Sequence, residues 1–507
     1  MMYEAGGWVL VESAIADLPA DLRWLYESGA VTIEQLGTLH TALGATSNAD
    51  LAAAVAGQSL RALPGFDEAA EAAVAAALPG LRALVPRIPL GRATAIAEPI
   101  LGHLRTVPGV AWALPAGSLR RGQDMVGDIE IVAAAADPSR AILELLHLTE
   151  STHCLHQGAR RVYLLTDRVQ VGVRLEAPGN AASALLYLTG SAAHFAALQA
   201  RASAMGWRLA ADGLRAPDGT PHPAATEDEM YAALGLPPIP PEIRNGDEEI
   251  AAALAGTLPA LVTREDIRGD LHMHSMWSDG RDSIAAMVET CRALGYEYMA
   301  ITDHSPHSAA SRNLTTDGVK KQAEEIAALR EQYSDIAILH GCEVDILPDG
   351  RLDFSDKILE RFDIVLASLH ERAGHGPEQL LKRYASAMKH PLVAMITHPT
   401  NRLVLHRAGY ELDYDRVFET AIETKTVVEI DGSPSHLDLD GALSRRAIAA
   451  GCLLAVSSDC HRAEMLDRQM RLGIITARRG WVEPRHVLNT RPLTEVRAVI
   501  AAKRGSR

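Results

Sequence analysis

Gly269-Asp-Leu-His-Met-His-Ser-Met-Trp-Ser-Asp-Gly280 is the stretch whose reading decides the fold of this 507-residue chain. His272 and His274 stand two apart, so on an extended strand both imidazoles leave the same face. Asp279 follows just past the predicted strand end, where a loop can fold it back over that face. Two imidazoles and a carboxylate converging at a strand terminus make the opening half of a metal site. An edge strand with two exposed histidines has the same local sequence, so the rest of the chain has to choose between the two readings.

Downstream, short apolar strands alternate with helical runs. The strand candidates are Asp270–His274, Tyr298–Thr302, Ala337–Gly341, Ile364–Ser368, Leu392–Thr397, Val427–Ile430 and Leu453–Ser457. Between them lie amphipathic segments such as Ser283–Leu294, Gly318–Gln332 and Glu378–Lys389. Seven such repeats predict a parallel (β/α) barrel, one strand short of the common eight. His272, His274 and Asp279 follow the first strand and Asp303-His304 the second. Glu343 follows the third, His370 the fourth, His398 the fifth and Asp459-Cys-His461 the seventh. The C-terminal strand ends of a barrel converge on one mouth, so six of seven strands deliver a histidine or carboxylate to a single point. Chance does not place nine such groups in register, and the surface-histidine reading falls.

The bulk numbers set the frame. A chain of this length predicts two to four domains. The hydrophobic fraction of 48% is ordinary for a globular protein, although aromatics are scarce. No apolar run is long enough to span a bilayer, and no basic region followed by a hydrophobic core opens the chain, which predicts a cytoplasmic protein without a membrane partner. Five scattered cysteines, never spaced Cys-x-x-Cys, suit a reducing compartment and no cysteine zinc knuckle. The net charge of -15 argues against holding nucleic acid by bulk electrostatics, unless the acids sit in a cation cluster that reverses the local sign.

Ahead of the barrel, residues 1–90 read as short helices rich in alanine and leucine. Leu63-Pro-Gly-Phe66 is a tight turn feeding a helix from Asp67 to Leu78, as in helix-hairpin-helix DNA-binding motifs. The turn lacks a second glycine, and Asp67 and Glu68 stand where a basic residue would help, so an ordinary helix connection fits equally well. From 91 to 180 the pattern is a helix and then strands. Gly117-Ser118-Leu119-Arg120-Arg121-Gly122 can hold a triphosphate through backbone amides and guanidinium forks. Asp128 and Glu130 alternate on the next strand, placing both carboxylates on one side where they could share Mg²⁺ or Mn²⁺. Pro237-Pro-Ile-Pro-Pro241 is stiff and marks the approach to the barrel.

These segments resemble bacterial family X DNA polymerases. Gly117–Gly122 with Gly127-Asp-Ile-Glu130 resembles the family's palm, and Ala184–Ser191 resembles its nucleotide-contacting segment, with Tyr187, Thr189 and Gly190 in the matching places. The likeness extends through Ala225–Pro237 and Ile239–Arg244. It implies catalytic roles for Asp128 and Glu130 and nucleotide binding by Gly117, Ser118, Arg120, Arg121, Tyr187, Thr189 and Gly190. Two departures stand out. Gly172, within Val169-Gln-Val-Gly-Val-Arg174, occupies the place of the family's third palm aspartate, and Glu130 is one methylene longer than the usual residue. Phosphoryl transfer depends on metal placement, so nucleotide or DNA binding is expected to persist with polymerisation weak, conditional or absent.

The C-terminal half resembles the PHP (polymerase and histidinol phosphatase) family over essentially its whole length, with all nine ligand positions filled. That resemblance implies three divalent metals, Zn²⁺, Mn²⁺ or Fe²⁺. By analogy, His272, His274, Glu343 and Asp459 would hold one, Asp279, His304 and His461 a second, and His370 and His398 a third bridged by Glu343. Asp303 is expected to orient a ligating histidine. His307, Arg312 and Arg402 are candidates for substrate phosphate.

The expected architecture is therefore a multidomain chain: a helical, helix-hairpin-helix-like DNA-binding region over 1–90, a nucleotidyltransferase α+β palm over 91–180, a thumb-like region and linker over 181–250, and a distorted seven-stranded PHP barrel over 265–507. The expected function is a DNA repair enzyme whose barrel hydrolyses phosphodiesters as a 3′-5′ exonuclease on gapped or 3′-ended DNA, with dNTP as a possible palm ligand. Two alternatives stand beside it: a phosphomonoesterase of the histidinol-phosphate or DNA 3′-phosphatase type, and a DNA-end-binding scaffold in which neither site turns over.

Overall fold

Seven short strands carry the C-terminal half. In chain order they are β1 (Gly269–Asp270), β2 (Tyr298–Ile301), β3 (Ala337–Asp345), β4 (Ile364–Ser368), β5 (Val393–Ile396), β6 (Val427–Asp431) and β7 (Leu454–Ser457). They pair parallel and in sequence order. The structure, a computed structural model, describes residues 20–45, 48–84, 87–148, 153–167, 169–308 and 310–505, so the first nineteen residues of the expected helical region lie outside the described residues. Two compact units emerge: one of 1–88, 92–121 and 125–254, and one of 255–507 with the short segments Pro89–Gly91 and Gly122–Asp124.

The strands are mostly apolar because they are buried on both faces, as parallel strands under helices must be. Their inward residues grade from apolar to polar along the barrel. Leu339 of β3 and Val427 of β6 lie in an apolar cluster that Leu366, Ala455, and Val496 and Ile500 of the helix Leu493–Arg504 share. Further up the same face come Glu343 and Glu429, both fully buried. The covering helices start where the sequence supplies caps: the side chains of Ser283, Thr315, Asp413 and Asp440 each accept a backbone N–H three residues on.

The seven strands nearly close. No ladder joins β7 to β1, and Asn489 fills the gap with its amide, donating to the carbonyls of Gly269 and Val456 at 2.8 and 2.7 Å while accepting from Val456 N–H. Past the strand ends the chains do touch: His274 N–H donates to the Cys460 carbonyl at 2.9 Å, and Asp459 N–H to that of His272 at 3.0 Å. β1 is shorter than the expected Asp270–His274. The Asp270 carboxylate accepts the backbone N–H groups of His272 and Ser458, which interrupts the ladder; His272 and His274 sit just beyond it.

The first unit contains the palm. Its five-stranded sheet runs Val110–Pro115, Ile129–Ala135, Val169–Glu176, Arg161–Thr166, His153–Gln157, with the second and third strands parallel and the other pairs antiparallel. Glu130 pairs across with Gly172. Asp128 differs from the expected alternation: it lies in the bend before the strand and is exposed, while Glu130 lies within it. Helices Pro178–Thr189, Ala192–Ala204 and Glu227–Ala233 and a small sheet of Arg208–Ala210, Gly213–Arg215 and Pro221–His222 follow. At the N-terminal end, helices Ala20–Glu27, Ile33–Thr41, Asn48–Ala56 and Glu68–Leu84 share one apolar core. The Pro64-Gly65 turn is held there by Gln35, whose amide donates to the Gly65 carbonyl at 2.7 Å. Among the described residues no helix is long and apolar enough to cross a membrane.

Candidate metal centre

Glu343 is the hub of the mouth. Its carboxylate lies 2.8 Å from His304 Nδ1 and from His398 Nε2, and 3.5–3.7 Å from the Nε2 atoms of His272, His274 and His370. Thr397 Oγ donates to it at 2.8 Å. Asp459 Oδ1 is 3.1 Å from His274 Nε2, and Asp279 Oδ1 is 3.2 Å from His461 Nε2. The His274 ring stacks between those of His304 and His461, with centroids 4.2 and 4.3 Å away. All nine residues expected to be ligands thus meet in one place.

Their donor atoms fall into overlapping groups with the spread a single ion requires: His272, His274 and Asp459; His274, Asp279, His304 and His461; His304, Glu343 and His370. Relative to the grouping implied by the PHP resemblance, His274 also joins the second group and His304 the third, Glu343 is missing from the first, and His398 falls in none of them although its Nε2 lies 2.8 Å from Glu343. The donors are arranged for cations rather than for one another. His272 Nε2 and His274 Nε2 converge at 3.2 Å, close enough for one ion to reach both. His274 Nδ1 and His398 Nδ1 are buried without a hydrogen-bond partner, an arrangement that is expensive unless a ligand is meant to fill it. The residues present fit divalent metal.

Burial and the neighbouring carboxylates pull the rings of the mouth in opposite directions. Burial, with the neighbouring imidazoles of His304 and His461, pulls His274 down to about 3, which keeps that ring neutral, the form in which imidazole binds metal. Glu343 is held well below the ordinary carboxylate range: burial opposes its charge, but His370, His304 and His272 outweigh it. Burial also opposes the charge of His461, yet the hydrogen bond to Asp279 and the field of Asp459 lift it to about 9.

The carboxylates that orient the ring nitrogens come from places the sequence did not flag. Glu429 of β6 takes His272 Nδ1 at 2.8 Å and accepts the His398 backbone N–H at 2.8 Å. Asp345 at the end of β3 lies 3.0 Å from His370 Nδ1. Asp303 does something else. It accepts from the backbone and hydroxyls of Ser275 and Ser278 and from the Gln322 amide, and so fixes the loop that brings Asp279 over the mouth. β6, the strand without an assigned ligand, supplies Glu429 and also Asp431, which groups with His436 and Asp459. The acids of Val427-Val-Glu-Ile-Asp431 were the available signal, and their even spacing from Val427 places them on its inward face.

Of the phosphate candidates, His307 is exposed with Nε2 3.3 Å from Glu371, and Arg312 is exposed with a bond to the Gly280 carbonyl at 3.4 Å. Arg402 donates to the carbonyls of His436 and Leu437 and pairs with Asp124 at 2.8 Å, so its fork is already engaged.

In the palm, Gly117 and Ser118 open a single helical turn, Gly117–Arg120. Arg120 donates to the Thr189 hydroxyl at 2.8 Å and forks onto Glu227, which Arg244 holds from its other side. Arg121 donates to the Thr189 carbonyl. Tyr187 packs edge-on against Phe195, and Gly190 ends the helix Pro178–Thr189 with a positive φ of 62°. Glu130 pairs with Arg161 at 3.0 Å.

Comparison with known proteins places both halves. The sequence profile described as "DNA polymerase beta thumb" matches residues 184–245, and the one described as "PHP domain" matches residues 270–432. The DNA polymerase/3'-5' exonuclease PolX of Bacillus subtilis (strain 168) is 35% identical over 494 residues, covering 97% of this chain and 86% of its own length. The chain belongs to the bacterial family X DNA polymerases with a PHP domain. Members of this family join a polymerase-like module to a PHP barrel, and this one has both. Proteins described as probable phosphatases match only the barrel: one from Syntrophotalea carbinolica is 28% identical over 205 residues (38% of this chain, 80% of its length), and one from Proteus mirabilis 25% over 233 residues (44% and 90%).

Proposed function

We propose that this protein is a DNA repair enzyme whose PHP mouth removes nucleotides from DNA 3′ ends by hydrolysing phosphodiesters, with its palm receiving DNA or dNTP but extending it weakly or not at all. The observation that carries the reading is the meeting of nine histidines and carboxylates at one barrel mouth, five of the imidazoles against Glu343, with buried ring nitrogens left unpartnered. The grouping of those donors supports a trinuclear centre held by His272, His274, Asp279, His304, Glu343, His370, His398, Asp459 and His461. Zn²⁺, Mn²⁺ and Fe²⁺ all suit this mixture of imidazole and carboxylate. Divalent cations there supply Lewis-acid activation of water and neutralise charge on a phosphodiester during in-line displacement.

The chain's own residues do the rest. Glu429 and Asp345 hold the rings of His272 and His370 in one orientation each. Asp303 holds the loop of Asp279. Exposed His307 and Arg312 stand in the segment after β2 as phosphate contacts. A phosphomonoesterase is the second reading, favoured by the barrel-only phosphatase relatives. The match to PolX along 97% of the chain weighs against it, because a metabolic phosphatase has no use for a palm and thumb.

The test offers a 3′-labelled primer–template with Mn²⁺ and dNTPs to wild type, His272→Ala and Asp128→Ala. Shortening abolished only by His272→Ala is the expected result. No shortening with any divalent metal overturns the proposal, and release of inorganic phosphate from a 3′-phosphorylated primer without shortening favours the phosphomonoesterase.

A further inference from the structure

The palm that the family builds around divalent metal is occupied here by a side chain. Glu130 and Gly172 face each other on neighbouring parallel strands, and a Cβ built on Gly172 would come within 2.7 Å of both Glu130 carboxylate oxygens. The longer side chain at 130 has therefore folded its carboxylate into the volume that a side chain at 172 would fill. The two departures noted in the sequence are one feature: glycine at 172 is what makes room for glutamate at 130.

Arg161, on the strand antiparallel to that of Gly172, reaches into the same place. Its Nη2 lies 3.0 Å from Glu130 Oε1, and its Nη1 lies 3.0 and 3.2 Å from the two oxygens of Asp50 in the helix Asn48–Ala56. The guanidinium also sits over the Tyr163 ring, 4.9 Å from its centroid. Glu130 and Arg161 side chains are each only 13% exposed, so solvent screens the pair poorly. An incoming ion would be left with Glu130 Oε2 and the exposed Asp128, next to a fixed positive charge already bound to the other oxygen of Glu130. Among the described residues the palm carboxylates form no group of three that could close on one ion.

We propose that the palm of this chain carries its cation covalently: the Arg161 guanidinium, held between Glu130 and Asp50, takes the place of divalent metal. The residues present do not fit a metal-loaded palm. Arg161 is thus the residue that decides the chemistry of this half, keeping the carboxylates folded without an ion and closed to one. The inference deepens the weak-extension part of the proposed function, and its test reads bound metal rather than DNA.

Full-length protein is stripped with chelator, dialysed to equilibrium against Mn²⁺, and bound Mn²⁺ per chain is counted for wild type, Asp128→Asn, Arg161→Gln and the double variant. Asp128→Asn is expected to leave the count unchanged. Arg161→Gln is expected to gain about one ion, which the double variant loses again. An ion lost from wild type on Asp128→Asn overturns the proposal, as does a folded Arg161→Gln, judged by circular dichroism, that gains none. Should Arg161→Gln fail to fold, the wild-type and Asp128→Asn counts still decide. Failure of 3′-end shortening would strike at the barrel reading alone and leave these counts untouched.

Discussion

The barrel mouth and the palm are both buried meetings of carboxylates, and they are neutralised in opposite ways. At the mouth, Glu343 is ringed by five imidazoles with nitrogens 2.8–3.7 Å from its carboxylate, and several buried ring nitrogens have no protein partner. In the palm, Glu130 is paired with Arg161, which also takes Asp50. The difference teaches how to tell a site awaiting cations from one that has brought its own. Unpartnered buried acceptors of imidazole type mark the first; a guanidinium forked between two acids marks the second. Elsewhere in the first unit the converse occurs, with one acid, Glu227, clamped by two guanidiniums, Arg120 and Arg244.

The sharpest way to break the comparison is Glu343→Gln. Its loss should lower metal affinity and 3′-end shortening by more than about 100-fold, beyond what an orienting residue alone contributes; a change of only a few-fold would mean the hub does not hold metal. Next comes acid. Glu227 is depressed from 4.5 to about 2: burial opposes its charge, but Arg244 and Arg120 outweigh burial. A carboxylate lowered in the folded state contributes stability that is fully present above pH 4.5 and lost as pH falls toward 2, here about 3 kcal/mol. Melting of wild type beside Glu227→Gln across that window should show the two curves converging at low pH, and parallel curves would refute it.

Smaller again is Glu429→Gln, which leaves every ligand in place and should weaken metal binding about 10–100-fold with the barrel's melting in chelator little changed. Equal losses in metal binding and in chelated stability would make Glu429 merely structural. The smallest effect tests the palm: Gly172→Ala should cost about 1–2 kcal/mol by pushing Glu130 off Arg161. Adding Glu130→Asp, which shortens the colliding side chain, should recover most of that, and additive losses in denaturant melts would show that the two positions are independent.

Much of the barrel was legible because its ligands follow strands that are apolar, short and evenly spaced, so strand ends could be read and the mouth inferred. β1 was less so: its ladder stops at Asp270 because the Asp270 carboxylate captures backbone N–H groups, which strand propensity does not encode. The partners of the ligands were not legible at all. Glu429 lies 157 residues from His272 and Asp345 25 from His370, and nothing local ties either to an imidazole. In the palm, the gap at Gly172 was visible, but its resolution was not. Arg161 is 31 residues from Glu130 and 111 from Asp50, and only the folded sheet brings the three together.

The most direct test of the account is Mn²⁺ located by anomalous scattering in crystals of the full-length protein. Strong peaks among His272, His274, Asp279, His304, Glu343, His370, His398, Asp459 and His461, with none beside Asp128 and Glu130, are predicted. A peak held by Asp128 and Glu130 with Arg161 swung away, or an empty barrel mouth, would contradict it.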